Sequence, residues 1–220
     1  MEPDELHPFE YGTERDNPSF SLRFAGGHYH REKEECWQEQ YRIHHVNVAD
    51  VDVVDEDAAK ATFRAKGMRV SDQAMQLAEL KAVKVSQRRE GLVIGGDQML
   101  NLDGEPIDKP KDMTEAAGHL RRFSGKTHRL ETAIVIAENG ESVWRHLAAP
   151  KLTVRPLSEA FIASYLEASG PGLLKTVGAY MLEDLGAQLF TRIEGDYFTI
   201  LGLPLLPLLD YLRTRGVLEA

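Results

Sequence analysis

One cysteine, Cys36, stands in the 220 residues, so the chain cannot close an internal disulfide, and a reducing compartment suits it. No apolar run approaches the roughly 20 residues that a helical membrane span needs. Positive charge is short as well: 26 Lys and Arg stand against 35 Asp and Glu, a formal net charge of -9. No basic stripe gathers those cations, which argues against a nucleic-acid backbone as the main partner. The opening MEPDELHPFEYGTERDNP is acidic and lacks the basic-then-apolar order of a signal peptide. The expectation is a soluble, cytoplasmic protein with neither nucleic-acid nor membrane partners. Its length suffices for one large or two small domains with a sizeable core.

The most informative segment is Val93–Pro110, VIGGDQMLNLDGEPIDKP. An apolar run ends in Gly95-Gly96, Asp97 follows at once, and Lys109 arrives after an Asp103-Gly104 turn. A buried strand that delivers a carboxylate at its C-terminal end, with a cation on the returning loop, is a common α/β arrangement for phosphate and metal. A β-hairpin in which Asp97 only caps a turn fits these residues about as well.

The remaining text is uneven. Residues 1–18 hold three prolines and several acids, and read as a disordered or loosely attached tail before one domain over 19–220. Ser19–Ala25 alternates like a strand, and Ile43–Val54 looks like another. Between them His28–Arg42 is crowded with charge and shows no apolar face. Asp57 can cap a helix over Ala58–Lys66, Ser71 one over Ala74–Gln87, Thr114 one over Glu115–Phe123, and Ser158 one to Ala168. Strands are expected at Leu92–Ile94, at His128–Glu138 and over Val143–Val154, with Asn139-Gly140 as a hairpin turn. Gly170-Pro171-Gly172 reads as a flexible connection. Pro204 opens a closing helix over Leu205–Arg215.

Six short pieces then occur in a specific order: VDED at Val54–Asp57, LAELKA at Leu77–Ala82, GGDQ with KP beyond its acid, SGKTHRLET at Ser124–Thr132, VGAYMLE at Val177–Glu183, and GDYFTILGLPL at Gly195–Leu205. Together they resemble the Maf family of nucleoside triphosphate pyrophosphatases, from about Val48 onward. The resemblance implies an α/β, inosine-triphosphatase-like (Maf/Ham) fold: an elongated mixed β-sheet flanked by helices, with a central cleft. It also implies metal-dependent hydrolysis of a nucleoside triphosphate to monophosphate and pyrophosphate, with magnesium or manganese as cofactor. Family members are commonly dimers.

Carried over by position, Asp97 matches the family's catalytic acid, Glu56 the acid near the metal, and Lys81 and Lys109 the phosphate-facing lysines. The chemistry suits those types. Attack of water on an α-phosphate needs a base, a divalent ion on phosphate oxygens, and cations to hold the leaving pyrophosphate. Carboxylates are the hard ligands magnesium accepts, and lysine meets phosphate as a point charge. Each residue has a plainer reading. Glu56 beside a helix start suits the helix dipole in any case, and a helical Lys81 is usually solvated. His128 at a strand start reads as a hydrogen-bonded structural residue. Asp196 is a secondary site residue or a turn acid. Gly202 and Pro204 set the last helix.

One family motif is missing. Members open with a strand and then Ser-x-Ser-Pro-Arg-Arg-x-x-Leu-Leu, which grips the triphosphate; this chain reads GGHYHREKEECWQEQ there. Read in a shifted frame, the degenerate codons of Gly27–Gln40 permit Ser-Pro-Arg-Lys-x-x-Met-Leu in the register of that motif. The leucine is forced by the Cys36–Trp37 junction. The expectation is that residues near Gly26 to Val46 are translated out of the ancestral frame. Resequencing tests this, and a shifted frame that cannot encode the arginines would end it. A nucleotide-binding protein with weak or lost turnover is the alternative.

Base preference rests on Gln98 and Glu183. In the family's thymidine- and uridine-preferring branch these positions carry Thr and Gln. A carboxylate accepts from two adjacent N–H groups, as guanine N1–H and N2–H₂ present, and is repelled by uracil's O2 and O4. Glu183 therefore favours a guanine-type base, as in the 7-methyl-GTP-preferring branch, unless it points to solvent.

Overall fold

The computed structural model describes residues 46–48 and 54–219. Its first half comprises β1 (Val46–Val48), α1 (Glu56–Ala65), α2 (Val70–Ser86), β2 (Leu92–Leu102), β3 (Glu105–Ile107) and α3 (Met113–Phe123). Then come β4 (Thr127–Glu138), β5 (Glu141–Ala148), β6 (Lys151–Val154), α4 (Glu159–Ser169), β7 (Phe190–Glu194), α5 (Tyr197–Ile200) and α6 (Leu205–Thr214), with 3-10 helices at Gly170–Lys175 and Leu185–Leu189. The expected tail, the Ser19–Ala25 strand, Cys36 and the charged 28–42 block lie outside the described residues, as does most of the Ile43–Val54 strand.

β2 and β4 form the spine, antiparallel from Val93↔Ala137 to Asn101↔Arg129. Each is long enough to take two neighbours on its outer edge. β1 runs parallel to the start of β2 and β3 folds back on its end; β5 pairs one end of β4 and β6 the other, with β7 beyond β6. Among the described residues the result is an open, mixed, seven-stranded sheet flanked by helices. Strand alternation sorts its core into two faces. Met99, Ala133, Val135 and Ala137 pack under α2, while Leu92, Ile94, Ile134 and Ile136 pack under α6. Leu100 and Leu130 continue the second face into a larger cluster under α3 and α4. Two Asx-Gly turns close hairpins as expected, with both residues at positive φ in Asp103-Gly104 and in Asn139-Gly140.

Several boundaries differ from the sequence expectation. β2 does not stop at Ile94 but runs through Gly95-Gly96 to Leu102, so Asp97 sits mid-strand rather than at a strand end or turn. The helix caps shift toward the N-terminus: Asp55 caps α1 by accepting from the Ala58 amide, and Asp112 caps α3 through the Glu115 amide. α2 begins at Val70, where no side chain caps it. Ser158 does cap α4. Val143–Val154 is broken into two strands at Ala149-Pro150, and Gly170-Pro171-Gly172 starts a 3-10 helix rather than a loose link. Among the described residues no helix is long and apolar enough to cross a membrane.

Candidate functional site

The buried face of α2 reads Val70, Ala74, Leu77, Ala78, Lys81, Ala82 and Val85, an i, i+3, i+4 stripe in which one member is a lysine. Lys81 is fully buried. A buried ammonium must be paired, and the sheet beneath supplies the partner. Gly95 lets the helix approach: an added Cβ there would lie 2.4 Å from the Ala78 carbonyl oxygen. Two residues on, Asp97 shares that face and projects toward α2, where Lys81 Nζ donates to Asp97 Oδ1 at 2.8 Å.

α1 delivers the third member. Capped by Asp55 and with acids in its first turn, it places Glu56 so that Oε1 lies 2.5 Å from Lys81 Nζ. The other oxygen of Glu56 is 3.5 Å from Lys60 Nζ, one turn along. One turn further, Arg64 Nη2 donates to both carboxylate oxygens of Asp108 at 2.8 Å, tying α1 to the loop that carries exposed Lys109. The cluster opens to solvent through Glu56, whose side chain is 25% exposed, whereas Asp97 is 5% exposed. Asp97 Oδ2 is buried and has no hydrogen-bond partner among the described residues.

Burial raises the Asp97 carboxyl above the ordinary range and the Glu56 charge adds to this, more than the Lys81 ammonium takes away. Glu56 goes the other way: burial opposes its charge, yet Lys81, with Lys60 and Lys109 behind it, holds it below the ordinary range. Burial also works against the charge on Lys81, but Asp97 and Glu56 outweigh it and keep the ammonium charged. The site thus contains a carboxylate at its rim whose charge is favoured, a carboxyl at its floor whose charge burial opposes, and a cation between them.

Of the residues singled out from the sequence, the structure brings together Glu56, Lys81 and Asp97, with Lys109 near the rim. Gln98 neighbours Asp97 in sequence but lies on the opposite face. Its amide nitrogen donates to Thr132 Oγ1 at 2.8 Å and to the Thr199 carbonyl at 3.0 Å, which seats α5 on β4. Glu183 is exposed, in the turn before the Leu185–Leu189 3-10 helix, and has no polar contact with the cluster. His128 is buried on the face away from Asp97, its Nε2 2.7 Å from the Tyr180 hydroxyl, with Phe123 and Phe190 beside it. That arrangement is structural. Asp196 caps α5 through the Thr199 amide and hydroxyl, so it is a turn acid.

Two residues escaped the sequence reading. Lys60 was signalled only by standing four residues after Glu56, the spacing that puts both on one helix face. Glu131 is buried on the Asp97 face and accepts from Asn101 Nδ2 at 2.8 Å; its alternation with Ala133, opposite Asp97, was the available clue. Glu131 does not join the cluster, and among the described residues no group of three or more His, Cys, Asp or Glu side chains is placed to hold a metal.

The open mixed sheet, the flanking helices and the acid–lysine–acid cluster at mid-sheet define an α/β protein of Maf/Ham architecture. A family model described as Maf-like protein matches residues 38–215. A nucleoside triphosphate pyrophosphatase of Hyphomonas neptunium is 66% identical over 165 residues, covering 75% of this chain and 83% of that protein. One of Caulobacter vibrioides is 53% identical over the same coverage. A 7-methyl-GTP pyrophosphatase of Rhizobium meliloti is 51% identical over 168 residues, 76% of this chain and 84% of that protein. The chain belongs to the Maf family.

Proposed function

We propose that the protein is a metal-dependent nucleoside triphosphate pyrophosphatase that forms a nucleoside monophosphate and pyrophosphate. The observation that carries the reading is the buried Asp97 with a free Oδ2, held by Lys81 beside Glu56. Asp97 Oδ2 accepts a proton from the attacking water as its oxygen bonds to the α-phosphorus. The bond from α-phosphorus to the bridging oxygen breaks, and its electron pair leaves with pyrophosphate. Lys109 and Lys81 hold the charge that gathers on that leaving group. Burial, which raises the Asp97 carboxyl, makes it a stronger base than an ordinary carboxylate and so suits this role.

The donor set fits a hard divalent ion. Glu56 and Asp97 offer two carboxylates, one with an unpartnered oxygen, and magnesium takes one or two carboxylates with phosphates and waters completing its shell. When bound, such an ion withdraws charge from phosphate oxygens and makes the attacking water more acidic.

Glu183 is proposed to select a guanine-type base. It is exposed and makes no hydrogen bond or ion pair among the described residues, which leaves both oxygens free to accept. The 7-methyl-GTP pyrophosphatases of Rhizobium at 51% and 50% identity support that direction. Pyrophosphate release across GTP, 7-methyl-GTP, UTP and dTTP tests it. A Glu183→Gln variant with the same ranking of bases would remove Glu183 from the account. The missing Ser/Arg pattern in residues 26–46 favours a second reading, a Maf protein that binds nucleotide with weak or lost turnover. Nucleotide-dependent thermal stabilisation without pyrophosphate release would establish that one instead.

A further inference from the structure

Lys81 occupies the point between the two carboxylates, 2.5 Å from Glu56 Oε1 and 2.8 Å from Asp97 Oδ1. That is where a cation shared by both acids belongs. We propose that Lys81 is the resident counter-ion of the divalent site, so that a divalent ion and a triphosphate bind as a coupled pair while the ammonium passes from carboxylate to phosphate. The inference rests on the pyrophosphatase reading and extends it.

Charge and burial carry the argument. Glu56 and Asp97 supply two negative charges; Lys81 and Lys60, the latter 3.5 Å from Glu56 Oε2, supply two positive ones. The cluster is neutral as it stands. A divalent ion entering alone would displace an ammonium whose side chain is 1% exposed, so water cannot take over its solvation. An expelled and unpaired buried charge is strongly unfavourable. A triphosphate changes the balance, because its oxygens accept the ammonium as the carboxylates turn to the metal. Affinities linked in this way are reciprocal: whatever the nucleotide adds to metal binding, the metal adds to nucleotide binding.

A simpler coupling exists, in which phosphate oxygens ligate the ion and Lys81 plays no part. Substitution at Lys81 separates the two, since only the proposal makes the free protein bind metal better once the ammonium is gone. The experiment is Mn²⁺ binding to the full chain, read as loss of the free-ion paramagnetic resonance signal, with and without a GTP analogue bearing a methylene bridge between α and β phosphates. In the wild type the analogue should tighten Mn²⁺ by about tenfold or more, within the usual range of linked sites. In Lys81→Met, Mn²⁺ without nucleotide should bind about tenfold tighter than to the wild type, and the effect of the analogue should shrink correspondingly. Mn²⁺ should also raise the Tm of the variant, in which buried Asp97 and half-buried Glu56 have lost the ammonium between them, while leaving the wild-type Tm unmoved at the same concentration. Lys81→Gln, neutral but still a donor, reads the same quantities if the Met variant does not fold.

Nucleotide-free Mn²⁺ affinity no higher in these variants than in the wild type would overturn the proposal. So would wild-type Mn²⁺ binding that ignores the analogue. If the wild type still releases pyrophosphate in either case, only the coupling fails. A wild type that neither binds the analogue nor releases pyrophosphate overturns the functional reading along with it.

Discussion

Gly95→Ala probes how the candidate catalytic cluster is assembled. The new Cβ would lie 2.4 Å from the Ala78 carbonyl oxygen, 2.6 Å from the Ala82 amide nitrogen and 2.8 Å from Ala82 Cβ. Comfortable contact begins near ~3.5 Å, so α2 must retreat by about 1 Å. The obstacle is helix backbone, which cannot rotate aside as a side chain would. Overpacking of this kind costs about 1–3 kcal/mol. Lys81 lies between Ala78 and Ala82, so the retreat draws its ammonium away from Asp97 and Glu56. A misplacement of about 1 Å at a reacting centre is worth about 10²-fold in rate. The assay pairs a urea midpoint at constant m value with kcat for pyrophosphate release. A variant within about 0.5 kcal/mol of wild type would refute the packing argument. A destabilised variant with unchanged kcat would refute the link from helix position to catalysis.

His128 is 1% exposed and burial pushes its pKa down to about 4. The unfolded chain therefore takes up this proton first, so His128 adds stability that is full above about pH 6.5 and falls by about 3 kcal/mol as pH drops to 4. Urea midpoints for wild type and His128→Gln should converge by that amount over this window, and parallel curves would contradict it. Tyr180→Phe removes the 2.7 Å partner of His128 Nε2 and should cost about 1–3 kcal/mol in the same assay. Gly118, within α3, has open space where a Cβ would go, and Gly118→Ala should stabilise by about 0.4–1 kcal/mol, seen as a raised Tm. Arg64→Ala breaks an exposed tie between α1 and the Lys109 loop. Stability should change by less than about 1 kcal/mol while kcat for pyrophosphate release falls, since Lys109 would be less well placed against the leaving group's charge; an unchanged kcat would detach Lys109 from that role.

The grouping of Glu56, Lys81 and Asp97 in the candidate site was legible because they stand in ordered motifs, yet the physical reason for it was not. Gly95-Gly96 looked like the end of a strand. In the structure Gly95 is the contact that admits α2, and the strand continues because its neighbours on β4 keep pairing with it. Sequence alone cannot tell a glycine that ends an element from one that lets another element approach. Lys81 was legible only through its motif, since a helical lysine read alone is usually solvated; the apolar stripe around it, which demands a buried partner, was the physical signal left unread. Cap positions misled because acids crowd the region before α1, and Asp55 and Asp57 are equally good caps until the backbone chooses. Gln98 shows the limit of adjacency. One step along a strand turns a side chain to the other face, and its amide holds α5 instead of pointing beside Asp97.

Asp97 as the base would direct hydrolysis to the α-phosphate. The most direct measurement is the product ratio from a nucleoside triphosphate with Mg²⁺ or Mn²⁺, for the wild type and Asp97→Asn. Monophosphate and pyrophosphate should form in equal amounts, and the variant should lose about 10²–10⁴-fold in rate, the usual worth of a positioned base. Release of inorganic phosphate and a diphosphate, or turnover that survives Asp97→Asn, would contradict this.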